Sequence, residues 1–206
     1  TSNSGEWLMY GRDYANHRFS PLSEITPDNV DQLRPSWSFS TGGQLGGLEA
    51  TPLIRDGVIY ISADYSRVFA LDARTGVMKW AFEPEYDAAL DAELCCGPVN
   101  RGVALHGDLV YVNTVAADLV ALNRDSGEIV WSQSLGNWRR GITATGAPLV
   151  LKGLVITGIA GAEYGVRGYI KAFDAKTGAE KWTSYMIPGP GEPGNETWPG
   201  DTWKTG

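Results

Sequence analysis

One pattern occurs three times and governs what this chain can become. Ala70-Leu71-Asp72-Ala73-Arg74-Thr75-Gly76-Val77-Met78-Lys79-Trp80 returns at 121–131 as ALNRDSGEIVW and at 172–182 as AFDAKTGAEKW. Trp80, Trp131 and Trp182 are 51 residues apart both times. A fixed period of this size marks a solenoid, a propeller or another array of stacked units. Within each copy a strand ends at Asp or Asn, a turn closes on Gly, and a second strand leads to Trp. Glycine supplies the left-handed backbone that such a hairpin loop requires. Upstream of each copy lies a β-rich run: Val58-Ile59-Tyr60-Ile61, Leu109-Val110-Tyr111-Val112 and Leu154-Val155-Ile156-Thr157. Further upstream each unit opens on proline, at Pro52-Leu53-Ile54, Pro98-Val99 and Pro148-Leu149-Val150. Proline is tolerated at the first residue of a strand, where no ladder donor is lost. Four short strands in about 50 residues is the pattern of a propeller blade. The repeated alanine leaves room for a large ring, so each tryptophan is expected to dock between adjacent blades.

Composition supports an all-β chain. With 26 Gly, 11 Pro and only 20% charged residues among 206, it reads as strands and turns rather than helices or disorder. A net charge of −7 argues against a nucleic-acid partner. No apolar run approaches the ~18 residues of a membrane helix. The opening Thr1-Ser2-Asn3-Ser4-Gly5 shows no signal peptide, although a processed protein would have lost one.

Residues 1–40 read as an N-terminal capping segment and 41–206 as about three to four successive blades of one domain. Within the cap, Thr26-Pro27-Asp28-Asn29-Val30-Asp31-Gln32-Leu33 predicts a short helix with Thr26 as N-cap and Pro27 at its first position. Trp37-Ser38-Phe39-Ser40 alternates as a half-buried strand should.

Identical blades need only pack, so the informative residues are those where the units differ. Three residues before each strand-opening proline stand Glu49, Cys95 and Thr145. If the units surround one axis, these side chains converge on one face. Cys95 and Cys96 are the only cysteines and are neighbours. Consecutive Cα atoms lie about 3.8 Å apart, below the usual ~4.4–6.8 Å span of a disulfide. A bridge between them would therefore be strained and labile and would gain little from loop closure. A pair of reduced, buried thiols is the other reading. The third unit carries six added residues: Ile156 follows Tyr111 by 45, whereas Tyr111 follows Tyr60 by 51 and Ala172 is back in phase. The addition falls in Gly158-Ile159-Ala160-Gly161-Ala162-Glu163-Tyr164-Gly165-Val166-Arg167-Gly168. Its glycines permit close approach of a ligand, and Glu163 stands among small residues. The spacing is not that of a dinucleotide fingerprint.

Together these motifs, with Leu48-Glu49-Ala50-Thr51-Pro52, Val99-Asn100-Arg101-Gly102, Tyr10-Gly11-Arg12-Asp13-Tyr14 and Phe19-Ser20-Pro21-Leu22, resemble the pyrroloquinoline-quinone (PQQ)-dependent alcohol dehydrogenases. The resemblance runs from about residue 6 to the end. It implies an eight-bladed β-propeller with the quinone near the axis and a redox-linked Cys95–Cys96 disulfide against one of its faces. It implies that Glu49, Arg101 and Thr145 meet the quinone's polar edge, together with the Gly161-Ala162 backbone. A planar guanidinium suits such a ligand. Glu163 is implied as a ligand of Ca²⁺, or of a lanthanide in its place, and such a cation would act as a Lewis acid on a quinone carbonyl. Ala160 departs from the family, where some members have serine against the cofactor. In that family the stacking tryptophan, a second metal-ligating Asn and the catalytic Asp follow the stretch that matches 197–206, so no catalytic base is named within this chain. The implied activity is oxidation of a small alcohol in the periplasm, with electrons passed to a cytochrome c-type acceptor. The remainder of the propeller is the first expected partner.

Lesser features carry less. His17 and His106 lack ligand spacing, Asn195-Glu196-Thr197 marks an exposed loop, and 188–194 is a Pro/Gly connector. Glu83, Glu85, Asp87, Asp91 and Glu93 form an acidic stretch before the cysteines, solvated or facing an electron acceptor. A non-catalytic propeller scaffold would share the tryptophan repeats, but it has no need of Cys95, Cys96, Arg101 and Glu163.

Overall fold

The tryptophan repeats build three four-stranded antiparallel sheets, each a meander in chain order. The structure, a computed structural model, describes residues 5–43, 47–94 and 97–204. The first blade comprises β1 (Leu53–Arg55), β2 (Val58–Ser62), β3 (Val68–Asp72) and β4 (Met78–Phe82). The second comprises β5 (Ala104–His106), β6 (Leu109–Asn113), β7 (Asp118–Asn123) and β8 (Ile129–Ser134). The third comprises β9 (Leu149–Leu151), β10 (Leu154–Gly158), β11 (Tyr169–Asp174) and β12 (Glu180–Tyr185).

Each residue type of the repeat has a local task. Asp72 accepts hydrogen bonds from the Arg74 and Thr75 amides and the Thr75 hydroxyl at 2.9–3.1 Å, folding the turn around one carboxylate. Asp174 does the same in the third blade, and in the second Asn123 accepts the Asp125 and Ser126 amides while the Ser126 hydroxyl donates to Glu128. Side chains that bond their own downstream backbone favour such turns. The closing Gly76, Gly127 and Gly178 have φ of +72°, +76° and +72°. A bulge follows in every blade: Ala70 pairs with Trp80 but Leu71 with Met78, and the shift recurs at Ala121/Leu122 and Ala172/Phe173. Bulges raise local twist and re-aim side chains. Here the re-aimed side chain is the tryptophan.

Trp80 and Trp131 dock on the following blade, as the sequence suggested, and it is the turn glycine that clears the space. A Cβ on Gly127 would stand 2.7 Å from the Trp80 ring, and one on Gly178 2.8 Å from Trp131. The indole N–H of Trp80 donates to the Arg124 carbonyl at 2.8 Å, and that of Trp131 to the Ala175 carbonyl at 3.2 Å. The repeated alanine serves within its own sheet, opposite the tryptophan. Trp37 completes the series outside the repeat, donating to Ala73 at 3.1 Å and lying over Gly76.

Consequently the core is a set of layers between blades. One joins Tyr60, Val68 and Trp80 to Val110, Val112, Val120 and Leu122. The next joins Tyr111, Leu119, Ala121 and Leu135 to Val155 and Phe173, with Trp131 packed against it. A third sets Trp37 and Phe39 on Phe69 and Leu71.

Residues 6–40 form no sheet of their own. Trp7 exchanges two backbone hydrogen bonds with Ile54, covering the free edge of β1, and the Tyr14 hydroxyl reaches the Val150 carbonyl. This segment and the strands β1, β5 and β9 line a half-open cavity of about 810 Å³. The expected helix at 26–33 is a single 3-10 turn, Val30–Gln32, with no buried residue. A short helix without an apolar face to bury has nothing to offset its nucleation cost. The Asn29 side chain also accepts the Thr26 amide at 2.8 Å, reversing the expected cap. Trp37 to Ser40 is extended and alternately buried, with no ladder partner among the described residues. The expected strand start at Pro98-Val99 is displaced as well, because β5 begins at Ala104. No helix among the described residues is long and apolar enough to cross a membrane.

Candidate functional site

In each blade the second strand ends beside the start of the first, so the inter-blade connections and the β2–β3, β6–β7 and β10–β11 loops share one face. Strand register corrects which residues are equivalent there. Leu53, Ala104 and Leu149 pair with Tyr60, Tyr111 and Ile156. Four residues before them stand Glu49, Asn100 and Thr145, so Arg101 is one residue past the matched position and Cys95 is not part of the set. Counting from proline misled because Pro98 precedes an irregular stretch rather than a strand. Cys95 and Cys96 lie outside the described residues.

Glu49, Arg101 and Thr145 do meet, one from the approach to each blade. Arg101 Nη2 stands 3.1 Å from Glu49 Oε2, and Arg101 Nη1 donates to Thr145 Oγ1 at 2.6 Å. The Arg101 amide donates to the Thr145 carbonyl at 2.9 Å. The Arg101 and Glu49 side chains remain 47% and 43% exposed. A pair this exposed contributes at most about 1 kcal/mol to stability. Beneath it the structure reveals residues that the sequence did not single out. Asn100, 2% exposed, donates to the Asn113 carbonyl and accepts the Gly102 amide. Asn113 in turn donates to Gly146 and Thr157. The signal available in sequence was the register position of Asn100 itself.

The six added residues of the third blade fall between β10 and β11, as expected, and carry a 3-10 turn, Ala162–Tyr164. Thr143 and Ala160 form a two-residue bridge that anchors the start of this loop. Gly161 is required by the close approach of another backbone segment. A Cβ there would lie 2.2 Å from the Gly141 carbonyl oxygen. Gly161 is buried, while Ala162 and Glu163 are exposed on the turn. At the other end, Arg167 donates to the Ile187 carbonyl at 2.7 Å, pairs with Glu192 at 2.9 Å and lies between the rings of Tyr185 and Trp203. The loop bearing Glu163 is thus tied at both feet. Among the described residues no three His, Cys, Asp or Glu side chains gather into a metal cluster. The exposed Glu163 carboxylate is chemically suited to a hard cation, as one donor of a larger set.

Between β2 and β3, Tyr65 and Ser66 hold left-handed backbones with φ of 52° and 57°, and the Tyr65 amide donates to the Pro98 carbonyl at 2.8 Å. The Tyr65 hydroxyl donates to Asp91 at 2.9 Å, which holds it protonated, so its pKa is raised. Burial pushes the nearby Tyr86 hydroxyl up to about 12. His17 pairs with Asp13 at 2.6 Å, and His106 is exposed at the end of β5.

The family described as PQQ: Glucose/ethanol/alcohol dehydrogenase, beta-propeller domain, matches residues 7–206. The chain belongs to this family. Its relatives include the quinohemoprotein alcohol dehydrogenase ADH IIB of Pseudomonas putida, 47% identical over 212 residues covering 98% of this chain and 31% of that protein. The crystal structure of the quinohemoprotein alcohol dehydrogenase from Comamonas testosteroni superposes with a TM-score of 0.84 at 45% identity, over 89% of this chain and 28% of that one. A europium-containing methanol dehydrogenase superposes with a TM-score of 0.90 at 36% identity, over all of this chain and 39% of that one. The chain therefore spans about a third of the length of the family members it matches. Its three sheets are blades of the family's β-propeller.

Proposed function

We propose that this chain forms one wall of a PQQ and metal site in an enzyme that oxidises a small alcohol and passes the electrons to a cytochrome c-type acceptor. The observation that carries the reading is the convergence of Glu49, Arg101 and Thr145 from three blades onto one half-exposed cluster. A propeller scaffold has no use for a guanidinium held this way. When bound, the quinone and its cation supply the redox chemistry and the Lewis acid.

Arg101 would present its remaining donors to the carboxylate and carbonyl oxygens of the quinone, in the fixed planar geometry that suits them. Glu49 balances the guanidinium charge and limits its rotation. Thr145 accepts from Arg101, which leaves its own O–H to donate outward. Glu163 would place carboxylate oxygens on the cation, Ca²⁺ or a lanthanide, and the Gly161-Ala162 backbone would border the ring. Cys95 and Cys96 would lie against a quinone face as a disulfide, which an oxidising periplasm would preserve. We assign no proton acceptor to these residues.

The test is calcium and quinone binding to the full-length protein, measured by calorimetry. Glu163→Gln should abolish metal binding and leave the fold intact, whereas undiminished binding would remove Glu163 from the site. Arg101→Lys should retain charge but lose the fork, weakening quinone binding about tenfold.

A further inference from the structure

We infer that Asn113 is a positioning residue for the Arg101–Thr145 pair, its buried side chain holding the segment of Thr145 and its backbone carbonyl that of Arg101. Asn113 ends β6 and is 1% exposed. Both N–H groups of its side chain are committed, to the Gly146 carbonyl at 2.8 Å and to Thr157 Oγ1 at 2.6 Å. Its backbone carbonyl accepts from Asn100 Nδ2 at 2.8 Å, and Asn100 Oδ1 accepts the Gly102 amide at 3.0 Å. The residues on either side of Arg101, and the residue after Thr145, are therefore all linked to Asn113. The bond from the Arg101 amide to the Thr145 carbonyl closes the circuit.

Two observations separate this from ordinary packing between blades. The positions matching Asn113 in the other blades are Ser62 and Gly158, which pair with Val68 and Ile170 as Asn113 pairs with Leu119. Neither carries an amide, so the blade repeat does not require one. Further, Asn113 Oδ1 is buried and has no hydrogen-bond partner among the described residues. An unmade acceptor in the interior is costly. A residue selected only for packing would be expected to avoid it.

The inference rests on the proposal that Arg101 meets the quinone, and one experiment separates the two. The full-length protein stripped of quinone is titrated with pyrroloquinoline quinone, following quenching of tryptophan fluorescence, as wild type, Asn113→Ala, Arg101→Ala and the double variant. Asn113→Ala should weaken binding about tenfold and Arg101→Ala about 10- to 100-fold. The double variant should lose clearly less than the two single losses combined, because Asn113 acts through the Arg101–Thr145 pair. Additive losses would overturn the positioning role. Wild-type affinity in Arg101→Ala would instead overturn the cofactor assignment itself. Should Asn113→Ala fail to fold, Thr157→Val keeps the shape and removes one acceptor of Asn113. It should weaken binding about threefold, and by less once Arg101 is removed. Unchanged affinity in that variant, with Arg101→Ala weakened, would also overturn the inference.

Discussion

Arg101 is held by a buried framework yet leaves half of its own side chain in solvent, a combination that separates stability from binding. Arg101→Ala should change the unfolding free energy by less than about 1 kcal/mol, measured by urea denaturation. Asp118 behaves differently. Burial raises its carboxyl pKa, opposed by a hydrogen bond with Thr114. The charged form is thus penalised in the folded state at neutral pH. That penalty fades as pH falls through the raised folded value and is gone below the unfolded value, about 3.9. Asp118→Asn should therefore raise Tm at pH 7 and lose its advantage in strong acid, as a pair of melting series would show. At this scale the sequence was a partial guide. Glu49, Thr145 and Glu163 stood out because charged or hydroxyl groups interrupt a repeat, and Arg101 was reached only through the family resemblance. Asn100 and Asn113 did not stand out, because their task is set by partners 13 to 44 residues away.

The repeated turn was the most legible element, since its Asp or Asn, Thr or Ser, and Gly each answer a local requirement. Gly127→Ala tests it. The substitution forces a side chain into a left-handed backbone and against the Trp80 ring, costing together about 2–4 kcal/mol in urea denaturation. Gly57, also at positive φ but with nothing near its Cβ direction, should show only the backbone part of that loss in the same assay. Elements without a local rule were misread. The 26–33 segment carries helix-start residues but lacks an apolar face. Pro98 looks like a strand opener, yet β5 waits for Ala104 because Asn100 and Gly102 first shape the backbone around the site. The added loop was found by counting, while the mutual contact of Gly141 and Gly161 is tertiary and left no mark in the local sequence.

Across the molecule, stability is distributed by neighbour. In an array each unit gains from the units it touches. The second blade is flanked on both sides, and Val110, Tyr111, Val112, Leu119, Ala121 and Leu122 are fully buried. Its last strand, β8, is exposed or half-buried along its length. Hydrogen exchange should find the β6 and β7 amides slower than those of β8, with equal protection across the blade contradicting the picture.

The indole hydrogen bonds also have a direction. Trp37, Trp80 and Trp131 each donate to a carbonyl of a later turn, at Ala73, Arg124 and Ala175. A head-to-tail contact of this kind either closes into a ring or propagates as a filament. Over Gly76, Gly127 and Gly178 the sockets hold Trp37, Trp80 and Trp131, each ring supplied by the segment that precedes the blade. The joints therefore carry a sense of rotation, and blades coupled this way follow one another in a single order around the propeller.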